Sequence, residues 1–256
     1  MHLKAFFFSV LCIFWVLASA SDLVREHLIA SEIEDSIAGG NPIRLKTGDT
    51  TFLAIHSEVD AGARRGGVIL LHDREAHPDW RYVISPLRME LPESGWETLS
   101  IQLPVAAKDA PPWLYRELIP ESFPRIKFAV EYFKQRKITD LVLLGHGLGA
   151  RAGAEFLGAG VPGEIKAFVA VGLPAQGAPN TLEALKKINI PILDLYGSRD
   201  IDSVLESTVD RVEAAREGGN SHYRQREVVG ADHFFTGRER HLVGTIRDWM
   251  RKSLSE

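Results

Sequence analysis

The sequence predicts an α/β fold, with a mostly parallel central sheet, helices on both faces of the sheet and an antiparallel hairpin towards the N-terminus. From residue 68 onward, short apolar runs that fit strands alternate with longer segments that fit helices, as parallel strands with long crossovers require. The runs 68–71 and 140–145 are almost wholly apolar, which is typical of strands covered on both faces. Before them, two strand-like runs flank Gly48-Asp49, a hairpin signal.

Each predicted strand is an apolar or alternating run bounded by polar or turn-forming residues. The predicted strands are 43–46, 51–58, 68–71, 97–103, 140–145, 166–171, 191–196 and 223–229. Residues 104–121 contain four prolines and are predicted to form a loop. Only about 19 residues separate the sixth predicted strand from the seventh, so no large cap domain is predicted between them.

The predicted helices are segments whose apolar residues recur every three or four positions. They are 21–40, 85–91, 124–137, 148–157, 204–217 and 240–254. The first is a short amphipathic helix that ends at Gly39-Gly40. The fourth is rich in alanine and glycine, so it can pack close to a sheet.

The composition is that of an ordinary globular protein. Of the 256 residues, 45% are hydrophobic and 25% are charged, which supplies a sizeable core and excludes a disordered or fibrous chain. The net charge of −4 leaves no basic stripe of the kind that displaces counterions, so no nucleic-acid partner is predicted. No linker divides residues 21–256, which are predicted to form a single domain.

Residues 1–20 are predicted to be a signal peptide rather than part of the fold. Lys4 provides a short positive start, an apolar run follows, and Ala18-Ser19-Ala20 has the small-x-small form of a signal-peptidase site. Cleavage after Ala20 predicts a periplasmic or secreted protein with no membrane attachment; the alternative is an uncleaved N-terminal anchor. The single cysteine lies in this segment, so the mature chain offers no disulfide and no thiol nucleophile.

The end of the strand predicted at 140–145 has the pattern of a nucleophile elbow. Residues 145–149 read GHGLG, which keeps the frame of G-x-S-x-G between a strand and a helix but places Gly147 where the serine would stand. Glycine adopts the strained backbone angles of such a turn at little cost, so the turn can persist after the hydroxyl is lost. The position of His146 favours a packing role over that of a stand-in nucleophile or base.

Two further strand ends carry an acid and a histidine. Asp200 follows the strand predicted at 191–196, with Asp202 as its rival, and His233 follows the last predicted strand. Because ligands of parallel sheets bind beyond the carboxyl ends of the strands, these side chains are candidate catalytic residues. Asp200 would hold the ring of His233 in one tautomer, and His233 would act as general base.

From about residue 66 to its C-terminus the chain resembles the α/β-hydrolase superfamily. The order of elbow, acid and histidine fits, and the run 230–235 (GADHFF) is similar to the histidine loop of small hydrolases without a large lid. The runs LLH, PDW, PLR and GW at 70–72, 78–80, 86–88 and 95–96 resemble an uncharacterised family of exported bacterial proteins grouped in that superfamily. The resemblance implies the sheet architecture, the positions of Asp200 and His233 and an elbow at Gly147, but it supplies no nucleophile there.

The residues at the expected oxyanion site differ from those of the hydrolases that the chain resembles. Many relatives carry His-Gly after the first buried strand, where a backbone N–H binds the oxyanion, whereas this chain has His72-Asp73. A carboxylate beside a developing oxyanion opposes its stabilisation unless Asp73 points away. His72, Asp73, His146 and Leu148 are the candidate binding residues at the strand ends. No metal or other cofactor is predicted, because the ligand-type residues between 72 and 79 match no metal motif in their spacing.

Two functions are open to a chain of this kind. The first is a non-catalytic or strongly impaired relative of the hydrolases that binds a small ligand or a protein partner at the strand ends. The second is an atypical hydrolase of esters or other acyl compounds, in which Asp200 and His233 activate water or a serine comes from another loop. General-base help alone contributes about 10²–10⁴-fold to a rate, so the second would be a weak catalyst beside a full triad.

Overall fold

The computed structural model describes residues 21–60, 62–111 and 113–254, so the predicted signal peptide at 1–20 lies outside the described residues. The strands in the described ranges are β1 (Asn41–Thr47), β2 (Thr50–Ser57), β3 (Gly66–Leu71), β4 (Trp96–Ile101), β5 (Leu141–His146), β6 (Ile165–Val171), β7 (Ile192–Arg199) and β8 (Tyr223–Asp232). They form one sheet in the order β1-β2-β4-β3-β5-β6-β7-β8. β2 runs antiparallel to β1 and to β4, and the other neighbouring pairs are parallel. The predicted fold class is confirmed.

The helices of the described ranges are α1 (Leu23–Ser36), α2 (Ile84–Glu90), α3 (Leu114–Gln135), α4 (Leu148–Gly158), α5 (Pro179–Leu185), α6 (Asp202–Leu205), α7 (Thr208–Glu217) and α8 (Glu239–Ser253). Between β6 and β7 the chain holds only α5, so no large cap is inserted there, as predicted. α5, a helix of seven residues, is absent from the predicted helices. No helix in the described ranges is both long enough and apolar enough to cross a bilayer.

The inner strands are buried on both faces because they carry apolar side chains at successive positions. In β3 and β5, Ile69 and Leu143 lie in one apolar cluster, whereas Val68 and Val142 lie in another. Residues of α3 and α4 belong to the first cluster, and residues of α2 and α8 to the second. Helices thus cover both faces, and the carboxyl ends of the parallel strands are left to line one edge.

The prediction of a loop over 104–121 is wrong in its second half, because α3 begins at Leu114. The helix carries Pro120 and Pro124 in its interior. Proline lacks the backbone N–H, and it costs a helix interior about 3 kcal/mol. Burial of Tyr115 and Leu118 offsets this cost, since a fully buried large apolar side chain contributes about 1.5–3 kcal/mol. Tertiary packing therefore overrides the local signal of the prolines.

The single helix predicted at 204–217 is two helices, α6 and α7. Ser207, which lies between them, donates its hydroxyl to the carbonyl oxygens of Ser203 (2.8 Å) and Val204 (3.1 Å). The guanidinium of Arg211 also donates to the Val204 carbonyl, at 2.7 Å. These side-chain bonds compete with the backbone bonds of a continuous helix and end α6.

Candidate active site

The turn between β5 and α4 has the geometry of a nucleophile elbow. Gly147 has φ of +52° and ψ of −117°, angles that a residue with a side chain adopts only under strain. Gly149 is required by close packing, since an added Cβ would lie 2.4 Å from the carbonyl oxygen of Leu71. The turn therefore keeps the shape of the motif without the serine.

The sheet order brings Asp73 to this turn. β3 and β5 are adjacent and parallel, with Leu71 paired with Gly145. The chain positions two residues beyond this pair are Asp73 and Gly147. Parallel strands in register place such residues side by side, although 74 positions separate them in the sequence.

The carboxylate of Asp73 points into the turn. Its Oδ1 accepts a hydrogen bond from the backbone N–H of Leu148 at 2.6 Å. An ideal Cβ on Gly147 would lie 2.0 Å from the same oxygen and 2.6 Å from Oδ2. The carboxylate thus occupies the space that a nucleophile's side chain would need, and it takes the N–H that follows the nucleophile position, a donor of the oxyanion hole in α/β-hydrolases.

His233 lies directly after β8 and joins two carboxylates. Its Nδ1 is 2.6 Å from Asp200 Oδ1, and its Nε2 is 3.1 Å from Asp73 Oδ2. Asp200 is held in turn by the backbone N–H groups of Ile201 (2.9 Å) and Gly197 (3.2 Å). The rival acid, Asp202, is exposed in the first turn of α6, so the partner of His233 is Asp200.

The two carboxylates set the charge of His233. Burial lowers the pKa of His233, but its hydrogen bonds to Asp200 and Asp73 outweigh burial and raise that pKa to about 9. Burial raises the pKa of Asp73, but the hydrogen bond from His233 and the nearby positive charge lower it to about 2. At neutral pH the ring is an imidazolium that donates both N–H groups, so it has no lone pair with which to accept a proton.

His146, at the end of β5, is fully buried behind the turn. Its Nε2 lies 2.9 Å from the carbonyl oxygen of His233 and donates to it. The rings of His146 and His233 lie with their centroids 4.7 Å apart. The Nδ1 of His146 is buried and has no hydrogen-bond partner within the described structure.

His72 positions the loop that carries Asp73. Its Nδ1 donates to the carbonyl oxygen of Asp73 at 2.8 Å, and its Nε2 accepts the N–H of Leu103 at 2.9 Å. Burial lowers the pKa of His72 to about 4, so the ring is neutral, as these two opposite roles require. With Leu148 and Asp73, His72 also lines a cavity of about 170 Å³ beside the site.

A cleft of about 390 Å³ opens over Asp73 and His233. Leu148 and Phe234 form apolar parts of its wall, and the ring of Phe234 lies 5.2 Å from that of His233. Of the sequence-predicted residues, Asp73, Leu148 and His233 therefore face the cleft, whereas Asp200 supports the ring of His233 from below it. This volume is at the small end of ligand sites, which run from about 300 to 1,000 Å³.

Three arginines line the same cleft: Arg74, Arg116 and Arg151. Arg151 contacts Thr181 at 3.2 Å and Glu155 at 3.5 Å. Arg74 and Arg116 are exposed, and neither makes an ion pair within the described ranges. No motif signals these arginines, because they lie on three segments that meet only in the folded chain.

The residues that could hold a metal differ from those considered in the sequence. His77 accepts the backbone N–H of Asp79, and Asp79 pairs with the guanidinium of Arg88 at 2.6 Å. In the described structure, the possible metal ligands that converge belong to Asp73, His146 and His233. One ligand atom from each of these residues lies within 4.8 Å of the other two.

Solved structures similar to this chain include proteins named as an esterase and a hydrolase. Est1E from Butyrivibrio proteoclasticus matches with a TM-score of 0.70 and 14% identity, over 85% of this chain and 100% of Est1E. A dienelactone hydrolase from Anabaena variabilis matches with a TM-score of 0.69 and 16% identity, over 84% and 97%. An esterase from Pyrococcus furiosus matches with a TM-score of 0.67 and 15% identity, over 87% and 96%. At these identities the likeness shows the fold alone, which is that of the α/β-hydrolases.

A sequence comparison adds the family. The model of a family described as a protein of unknown function (DUF3530) matches residues 23–121 and 114–252. The two matched segments overlap and together span most of the chain. A search of curated proteins finds no match.

Proposed function

The chain belongs to the DUF3530 family of proteins of unknown function, and on that premise we propose that it is an exported, hydrolase-like binding protein. Serine-type catalysis is lost or strongly reduced, and the cleft at the strand ends binds a small anionic molecule. One observation carries this proposal: the carboxylate of Asp73 lies where the side chain of a nucleophile at position 147 would stand, 2.0 Å from the ideal Cβ.

The loss of serine-type catalysis follows from what Asp73 contacts. The N–H of Leu148, which would bind an oxyanion, already donates to Asp73 at 2.6 Å. Removal of one such donor from an active hydrolase lowers kcat by about 10²–10³-fold. Here the donor is occupied by a carboxylate, which also places a negative charge where the oxyanion would form. A substrate carbonyl in this position would therefore meet repulsion instead of stabilisation.

The alternative, a hydrolase that activates water through Asp200 and His233, needs a free Nε2 on His233. That nitrogen faces Asp73 Oδ2 at 3.1 Å, the position in which an activated water would have to lie. The contact supports the binding protein over the atypical hydrolase.

The class of ligand follows from the charges around the cleft. Arg74 and Arg116 are exposed on its rim and make no ion pair in the described ranges, so their guanidinium groups are available to a ligand. Arginine binds carboxylate and phosphate groups through paired N–H donors. A small carboxylate or phosphate with an apolar part to contact Leu148 and Phe234 fits this lining.

Export is proposed from residues 1–20, which lie outside the described part of the chain. The charged start, apolar run and small-x-small site support cleavage after Ala20 and a periplasmic or secreted location.

The first test of the proposal is whether the purified protein hydrolyses an ester. We expect no hydrolysis of a short-chain aryl ester by the purified protein and no labelling by a fluorophosphonate probe. Turnover that disappears in His233→Ala would show that the site is a working hydrolase. Labelling of the parent would reveal a reactive serine elsewhere in the chain.

The ligand class is tested by calorimetric titration with small aryl carboxylates, each paired with its uncharged amide. We expect the carboxylates to bind more tightly than the amides, and Arg74→Gln and Arg116→Gln each to weaken carboxylate binding about tenfold, the loss of one charge-assisted hydrogen bond. Arg240→Gln, an exposed arginine at the start of α8, is the matched control. Equal binding of acid and amide contradicts the anionic ligand.

A further inference from the structure

Two histidines and one carboxylate converge where β3, β5 and β8 end. Asp73, His146 and His233 each present one ligand atom, and these atoms lie within 4.8 Å of one another. Zinc binds nitrogen and oxygen at about 2.0–2.2 Å with tetrahedral angles, so neighbouring ligand atoms around it lie roughly 3.3–3.5 Å apart. The separation between Asp73 Oδ2 and His233 Nε2, which a hydrogen bond spans at 3.1 Å, lies just below that spacing.

Both histidines are oriented as metal ligands are. A metal-binding histidine donates its other ring N–H to a carboxylate or a backbone carbonyl, which fixes its tautomer. His233 donates from Nδ1 to Asp200 at 2.6 Å, and His146 donates from Nε2 to the carbonyl oxygen of His233 at 2.9 Å. The nitrogens left as metal ligands are Nδ1 of His146, which carries no proton, and Nε2 of His233, whose proton the incoming ion would displace.

A buried nitrogen without a partner also points to a cation at this cluster. His146 is 0% exposed, and its Nδ1 has no hydrogen-bond partner in the described structure. Because Nε2 carries the ring proton, Nδ1 presents a lone pair, and a buried lone pair without a donor is costly in a folded protein. A cation at the centre of the cluster would satisfy it.

The charge and the access of the cluster also suit a divalent ion. Asp73 would bind the ion directly and Asp200 supports it through His233, so two carboxylates balance the charge of a divalent ion once the Nε2 proton of His233 is displaced. Asp73 and His233 line the open cleft, which provides the route for an ion and leaves one coordination position towards solvent.

We propose that Asp73, His146 and His233 form a site for one divalent transition-metal ion of the zinc type. The three residues lie in separate segments with sequence separations of 73 and 87 positions, which is why no spacing motif signals the site. This ion would reside in the site and is separate from the anionic ligand of the proposed binding function.

The test is the metal content and affinity of the full chain, prepared without an affinity tag, stripped with a chelator and titrated with Zn²⁺ in a calorimeter. We expect one Zn²⁺ per chain, and a Co²⁺ complex with visible d–d absorption of low-coordinate geometry. Asp73→Asn keeps the shape of the side chain but removes its charge, and we expect it to weaken Zn²⁺ binding at least about 100-fold, more than the loss of an outer-shell partner does.

Matched controls separate this site from adventitious binding. Asp202→Asn and His241→Gln change an exposed acid and an exposed histidine and should leave the affinity unchanged. His146→Gln should weaken binding as Asp73→Asn does; if circular dichroism shows that His146→Gln does not fold, Asp73→Asn decides alone. No stoichiometric Zn²⁺ binding, or binding that Asp73→Asn leaves intact, overturns the metal site. Anion binding through Arg74 and Arg116 is measured separately, so either proposal can fail while the other holds.

Discussion

At the scale of single residues, Asp73 decides what the strand ends can do. The sequence shows Asp73 directly after His72, where the resemblance to the α/β-hydrolases leads us to expect glycine. Its direction could not be predicted, because that depends on the pairing of β3 with β5 and on the hydrogen bond from the N–H of Leu148. The contact between Asp200 and His233, in contrast, follows the predicted order of acid and histidine at successive strand ends.

The titration of His233 reports the contact with Asp73. Its pKa of about 9 reflects hydrogen bonds from the ring to both Asp200 and Asp73. We expect Asp73→Asn to lower this pKa by at least about one unit, since a neutral amide stabilises the imidazolium less than a carboxylate does. The measurement is an NMR titration of the ring, with Asp202→Asn as control. A pKa near 6.5 in the parent would contradict the geometry.

The stability of the fold at mildly acid pH depends on His72. Its pKa is about 4 in the folded chain and close to 6.5 when unfolded, so the unfolded state binds more protons between these values. The contribution of His72 to the unfolding free energy is therefore fully present above pH 6.5 and falls by about 3 kcal/mol as the pH drops to 4.

Urea unfolding at pH 7 and pH 4.5 measures that change. We expect His72→Asn to be less stable than the parent at pH 7, because it loses the ring nitrogen that accepts the N–H of Leu103. We also expect the variant to lose less stability than the parent when the pH falls. An unchanged pH slope in the variant would show that folding does not lower the pKa of His72.

At the scale of elements, the segment β5–turn–α4 was predictable because its signal is local. An apolar strand, a GHGLG turn and a helix of small residues follow one another within 18 positions. The N-terminal part of α3 was not predictable, because Pro120 and Pro124 argue against a helix and only the burial of Tyr115 and Leu118 maintains it. Local chemistry predicts an element wherever distant packing does not override it.

The packing of the turn on β3 gives a test at this scale. A Cβ at Gly149 would lie 2.4 Å from the carbonyl oxygen of Leu71, whereas a Cβ at Gly163 would meet nothing within 4 Å. We expect Gly149→Ala to lower the unfolding free energy by about 3 kcal/mol or more, and Gly163→Ala to change it by less than about 0.5 kcal/mol. Denaturant unfolding measures both. Equal stability of the two variants would mean that α4 does not approach β3 so closely.

At the scale of the whole molecule, the alternation of strands and helices predicted the fold class, and the structure confirms it. The order of the strands was not predictable, and that order determines which loops share an edge. It brings Arg74, Arg116 and Arg151 to one cleft and places Asp73 against Gly147. Which residues make up the site therefore depends on the strand order, which cannot be predicted from this sequence alone.

The export of the molecule is a prediction at the same scale. We expect the mature chain to begin at Ser21 when it is recovered from the periplasm or the medium, because the small residues before it suit signal peptidase. Mass spectrometry of the intact chain measures its N-terminus. A chain that retains residues 1–20 in the membrane fraction would indicate the uncleaved anchor instead.

The most direct test of the displaced nucleophile site is the rate of aryl-ester hydrolysis in four proteins: the parent, Gly147→Ser, Asp73→Ala and the variant with both changes. Serine alone would meet the Asp73 carboxylate, and removal of Asp73 alone supplies no hydroxyl. We expect hydrolysis above background only in the double variant, in which the hydroxyl, His233 and the N–H of Leu148 are all available. Hydrolysis by the parent, or equal hydrolysis by Gly147→Ser alone, would contradict the position assigned to Asp73.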